Sequence, residues 1–200
     1  TNGNLVAAYD QPTSSSWGWR DLCWDGTYLY GSDSTMIQQI NPATGTVTGT
    51  SITGPLNPNR ALAYDPSTEH FWTGGFGTDI YEINRSGTVI NQYSNANGIY
   101  GMAWDSHTAG GPWLWVWSQD GSGTVCSQFD PASGAYTGVT YYGVTPPGGI
   151  AGGAAFERIG PDYLFIGLHQ ADPNDYIIGY RLPGDRSVVN PAQFLLLLLD

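Results

Sequence analysis

Four times along its 200 residues the chain repeats one pattern, a run of small residues closing on an aromatic and an acid. The copies read "RDLCWD" (20–25), "RALAYD" (60–65), "YGMAWD" (100–105) and "GGAAFE" (152–157). Their anchor aromatics, Trp24, Tyr64, Trp104 and Phe156, stand 40, 40 and 52 residues apart. Behind each anchor come an aromatic stretch such as "YLY", a third such as "MIQQI", a turn such as "NPATG" and a Thr/Val-rich tail. Each unit therefore reads as four short strands joined by tight turns, and such repeats of about 40–45 residues are β-propeller blades. The expectation is an all-β fold, a β-propeller of four-stranded antiparallel blades with four blades in the chain. The blades span roughly residues 19–54, 59–96, 99–143 and 150–199 of one domain, 1–200.

A ring of sheets needs its last edge paired. Two segments outside the repeats can serve, "NLVAAYDQ" (4–11) and "AQFLLLLLD" (192–200). One supplies the outer strand of the last blade; the other becomes an extra edge strand or pairs with a neighbouring subunit.

Composition narrows the partners. Charged residues make up 12%, and 17 acids against six Arg and no Lys leave a net charge of −11. Phosphate neutralisation needs basic patches, so nucleic acid is disfavoured. The absence of Lys excludes Schiff-base chemistry and a P-loop. "FLLLLL" is too short to span a bilayer. A sparsely charged, Gly-, Ser-, Thr- and Asn-rich surface fits an extracellular or cell-surface setting, and a start at "TNGNLVAAYD" suits a processed form.

The units resemble the "GLAWDG-x-YLW … I-x-x-IDPATG" repeats of bacterial secreted β-propellers, a broad group that includes NHL-type, glutamine cyclotransferase-like and virginiamycin B lyase-like propellers. The resemblance covers about residues 19–190. It implies the fold; such blades carry enzymes, binders and structural modules alike.

Aligned columns separate architecture from candidates for function. Cys23 shares the column of Ala63, Ala103 and Ala155, and Cys126 that of Ile37 and Ile80, so both read as buried free thiols. Asp25, Asp65, Asp105 and Glu157 recur after the anchors as turn-forming carboxylates. In "GPWLWVWSQD", Trp113 aligns with Tyr28, His70 and Tyr163, and Trp115 with Tyr30, Trp72 and Phe165. Trp117 aligns with Ser32, Gly74 and Gly167, so it exceeds what the architecture needs and is a candidate surface contact.

No HExxH, GxSxG or CxxC occurs, and no cofactor is expected. The loops "QDGSG" and "ADPND" offer weak Ca²⁺ ligands in Asp120, Asp172, Asn174 and Asp175, which ordinary Asx turns also explain. The segments leading into the inner strands gather at one end of the central channel. They bring Trp17, Trp19, Arg20, Asn59, Arg60 and Tyr100, a set of guanidiniums and aromatics suited to a carboxylate or a sugar acid.

Three functions fit. The first is an extracellular, non-catalytic propeller that binds carbohydrate or a surface protein through aromatic faces. The second is a subunit of a self-assembling filament or surface layer, joined through its terminal strands. The third is a lyase- or cyclotransferase-like enzyme, for which Glu69, Glu82 and Glu157 are the available glutamates but match no family motif.

Overall fold

A computed structural model describes residues 4–13, 15–121, 123–142, 149–182 and, as backbone, 193–197. It contains sixteen strands in four antiparallel sheets arranged as a four-bladed β-propeller. Blade 1 comprises β1 Leu22–Trp24, β2 Leu29–Gly31, β3 Met36–Asn41 and β4 Thr46–Thr53. Blade 2 comprises β5 Ala61–Asp65, β6 His70–Gly74, β7 Ile80–Ile83 and β8 Val89–Tyr93. Blade 3 has β9 Ile99–Asp105, β10 Trp113–Asp120, β11 Gly123–Asp130 and β12 Ala135–Tyr142. Blade 4 has β13 Ile150–Ile159, β14 Asp162–Gln170, β15 Tyr176–Leu182 and β16 Gln193–Leu197. The strands of each blade pair in sequence order, with the first innermost.

Local chemistry explains the turns. Asp25 Oδ1 accepts the amides of Thr27 and Tyr28, and Asp105 Oδ1 those of His107 and Thr108. Asp65 Oδ1 accepts the Ser67 amide, so in these three blades the carboxylate folds the β-turn after the inner strand. Glu157 departs from this role. Strand β13 runs on through Ile159 to a turn at Gly160.

That longer hairpin corrects the fourth repeat by one residue. Tyr30 pairs with Cys23, Trp72 with Ala63 and Trp115 with Ala103, and the equivalent pair in blade 4 is Ile166 with Ala155. Phe165 instead pairs with Phe156 and occupies the column of Leu29, Phe71 and Leu114. A slip of one residue exchanges the faces of a strand. Phe165 therefore looks back toward blade 3, and Ile166, Leu168 and Ile177 look toward blade 1.

The core lies between blades. Cys23, Tyr30, Ile37 and Ile52 of blade 1 bury against Leu62, Tyr64 and Phe71 of blade 2. Trp72 and Ile80 bury against Met102, Leu114 and Val116 of blade 3. Trp115 and Trp117 bury against Ala154, Phe165 and Tyr180 of blade 4. Among the described residues no such cluster joins blade 4 to blade 1. Where Tyr30, Trp72 and Trp115 fill three seams, the fourth has Ile166, and an apolar cleft of about 350 Å³ remains there. Both thiols are free and buried, and burial pushes each well above the usual thiol range.

The terminal segments divide their roles. Residues 193–197, which hold the start of the "FLLLLL" run, enter blade 4 as its outer strand, β16 on β15; the end of the run lies outside the described residues. The expected N-terminal strand over 4–11 is absent: these residues form no strand, and Leu5 and Val6 are exposed. With four strands already in every blade, the segment finds no sheet to complete. It lies across blade 1 instead, where Tyr9 Oη donates to Ala43 O at 2.7 Å.

Candidate functional site

The axis of the ring is held by one carboxylate. Asp21, at the start of blade 1, is buried, and its Oδ2 accepts the amides of Leu62 and Met102, each at 2.9 Å. Its Oδ1 accepts the amide of Ala154, also at 2.9 Å. The three donors come from blades 2, 3 and 4 and occupy one repeat column. Its fourth member, Leu22, presents its own amide to the same carboxylate. Burial outweighs these donors and pushes the Asp21 pKa up to about 7. The neighbouring column is tiny for steric reasons: a Cβ at Gly101 would stand 2.7 Å from Ala154 N, and one at Gly153 2.8 Å from Arg20 O.

On the face where the inner strands begin, hereafter the upper face, stand Arg20 and Arg60, near enough for the charge of Arg20 to act on Arg60. Arg20 Nη1 donates to Gln170 Oε1 at 3.4 Å, and its buried Nε has no hydrogen-bond partner. The Arg60 guanidinium lies 3.9 Å from the centroid of Phe76 and 6.0 Å from that of Tyr100. Phe76 and Tyr100 pack at 4.4 Å. Partial burial and then the charge of Arg20 hold the Arg60 pKa below the usual guanidinium value. Among the described residues neither guanidinium forms an ion pair, whereas Arg85 and Arg181 both do.

The other expected members of this site divide. Trp17 is 50% exposed on the surface. Trp19 is buried: a Cβ at Gly31 would meet its ring at 2.6 Å, and Gln11 Oε1 accepts its amide at 2.7 Å. It lines the cleft between blades 1 and 4 rather than the channel mouth. Asn59 is fully buried, and this corrects its expected ligand role. Its Nδ2 donates to Ser34 O, Thr35 O and Leu56 O, and its Oδ1 accepts the Leu56 amide, so the side chain is consumed in ordering the β4–β5 connection. Phe76 and Gln170 were not singled out by sequence. They follow β6 and end β14, far from the inner-strand motif that drew attention to Arg20 and Arg60.

Trp117 is a second correction. It is fully buried, donates from Nε1 to Leu168 O at 2.8 Å and packs against Phe165 and Tyr180. Gly167 makes room for it; a Cβ there would stand 2.6 Å from the indole. A residue larger than its column is here matched by a vacancy in the next blade. Among the weak Ca²⁺ candidates, Asp120 ends β10, and Asp172 and Asp175 stand in the β14–β15 loop, where Asp175 Oδ1 accepts the Ala171 amide. Among the described residues no three His, Cys, Asp or Glu side chains cluster as a metal site would require.

Comparison with known proteins supports the fold alone. No family model matches the chain, and no curated protein does. A solved chain described as the structure of U3-55K is similar at a TM-score of 0.55 with 12% identity. The similarity covers 86% of this chain and 48% of that one, so the present chain spans about half the length of that neighbour. No helix of the described residues is long and apolar enough to cross a membrane.

Proposed function

We propose that this chain is an extracellular, non-catalytic binding propeller whose upper face takes the carboxylate of an acidic carbohydrate or of an acidic surface partner. The observation that carries this reading is the Arg20–Arg60 pair. In a chain of net charge −11 these two guanidiniums stand close enough to repel each other, with no acid paired to them among the described residues. A carboxylate is the complement such a pair lacks, and a guanidinium stacked on an aromatic keeps its N–H edge free for bidentate bonding. Phe76 and Tyr100 beside it supply the apolar face that carbohydrate recognition uses. The sparse surface charge supports the extracellular setting.

The test compares an oligogalacturonate with a neutral maltooligosaccharide by calorimetry. Binding of the acidic glycan alone, weakened by salt, supports the proposal; equal binding of both, or of neither, defeats it. Self-assembly through the terminal strands has less support, because residues 4–11 form no strand and β16 serves as the outer strand of blade 4.

A further inference from the structure

The opposite face of the ring has its own site. Two cavities, of about 370 and 330 Å³, lie in series along the axis. They share Trp24, Tyr64, Trp104 and Phe156 as walls, one aromatic from each blade, which thus form a collar between an inner chamber and an outer vestibule. The inner chamber is lined by Leu22, Leu62, Met102 and Ala154. The amides of the last three clasp Asp21 at its far end.

The charge around this cup is unbalanced. Glu157, an exposed residue at the edge of the inner chamber, accepts only the Arg158 amide at 2.8 Å and has no ion pair among the described residues. Arg85, whose guanidinium lies 5.2 Å from the Tyr64 ring, is already neutralised by Asp25 at 3.1 Å and Glu69 at 3.4 Å. Arg158 lies against Tyr163 and donates to Gly160 O in the following turn. Counting Arg85 and Arg158 against Asp25, Asp65, Glu69, Asp105 and Glu157 leaves the surroundings three negative charges in excess.

We infer that this collar is a binding site for an alkylammonium group. Several aromatic rings around one cavity, with an uncompensated carboxylate in its wall, form the environment in which a weakly hydrated cation is held better than in water. A bare metal ion or a Lys ammonium keeps a strong hydration shell that aromatic walls do not replace. A quaternary ammonium carries its charge inside an apolar envelope and matches both features. The site is independent of the Arg20–Arg60 pair, which lies on the other face.

Choline and its neutral isostere 3,3-dimethyl-1-butanol test this directly, titrated against the whole chain and followed by tryptophan fluorescence and calorimetry. Choline is expected to bind at millimolar concentration and the neutral isostere about tenfold more weakly. Glu157→Gln should bring choline down toward the isostere. Trp24→Ala, at a collar position that is 49% exposed and tolerant of truncation, should weaken it several-fold. Flotation with phosphatidylcholine vesicles assigns the group to a lipid headgroup; choline binding without flotation assigns it to a free ion. Equal affinity for the isostere, no choline binding, or unchanged affinity in the folded Trp24→Ala protein would overturn the inference.

Discussion

The amide of Ala154 donates to Asp21 Oδ1 at 2.9 Å, which joins the first blade to the last across 133 residues of chain. This contact matters because among the described residues no buried core cluster joins these two blades, whereas the other seams have both a core and the Asp21 clasp. A buried amide left without its acceptor costs about 1–3 kcal/mol. Replacing Asp21 by Ala leaves several buried amides unpaired and should lower stability by roughly 3–5 kcal/mol in urea denaturation. A loss below about 1 kcal/mol would mean that the clasp is not what closes the ring.

The same carboxylate sets a pH dependence. Its folded pKa of about 7 lies above the ordinary 3.8, so between these values the folded state holds a proton that the unfolded state has released. Stability contributed this way is complete below the lower value and is lost as pH rises through the upper one. Asp25 and Asp33 shift the opposite way. Burial opposes the shift, but the Tyr28 and Thr27 amides hold Asp25 low, and the Thr13 and Ser15 side chains do so for Asp33; their stabilisation is lost only in acid. Denaturation midpoints should therefore fall from pH 5 to pH 8, with a slope of up to about 1.4 kcal/mol per unit. In Asp21→Asn that fall should vanish.

The seam between blades 4 and 1 is underfilled, and Ile166 is the reason. Ile166→Phe places an aromatic where the other blades carry Tyr30, Trp72 and Trp115, beside a cleft of about 350 Å³. Cavity filling of this kind should raise the melting temperature by about 2–4 °C. Trp115→Ala, the reverse change at a filled seam, should cost about 3–5 kcal/mol. Calorimetric melts of the two variants check both signs.

Gly167 and Trp117 form a matched pair. Gly167→Ala forces a methyl into the indole and should destabilise by roughly 1–3 kcal/mol. Adding Trp117→Phe should recover part of that loss, and a double-mutant cycle measures the coupling. Strict additivity of the two changes would show that the fit between them carries no energy.

On the upper face, Arg60→Ala and Arg20→Ala should each weaken binding of an oligogalacturonate about tenfold or more while leaving the fold intact. Asn59→Ala should instead lower stability, since its amide ties together the backbone at Ser34, Thr35 and Leu56. Parallel titrations and melts separate the two behaviours.

Blade number, strand order and the turns were readable from the sequence, because they rest on local chemistry. Asp25, Asp65 and Asp105 bond amides two or three residues away, and alternation sets which side chains share a face. Even Asp21 left a trace, as the one charged member of a column otherwise filled by Ala61, Gly101 and Gly153. Its role depended on four amides converging on an axis, and those amides lie up to 133 residues away. The face of Ile166 depended on a longer hairpin that pairing alone locates. Trp117 looked surplus until Gly167 of the next blade stood opposite it. Tertiary structure decided these features because each is a relation between blades, and a repeat pattern describes one blade at a time.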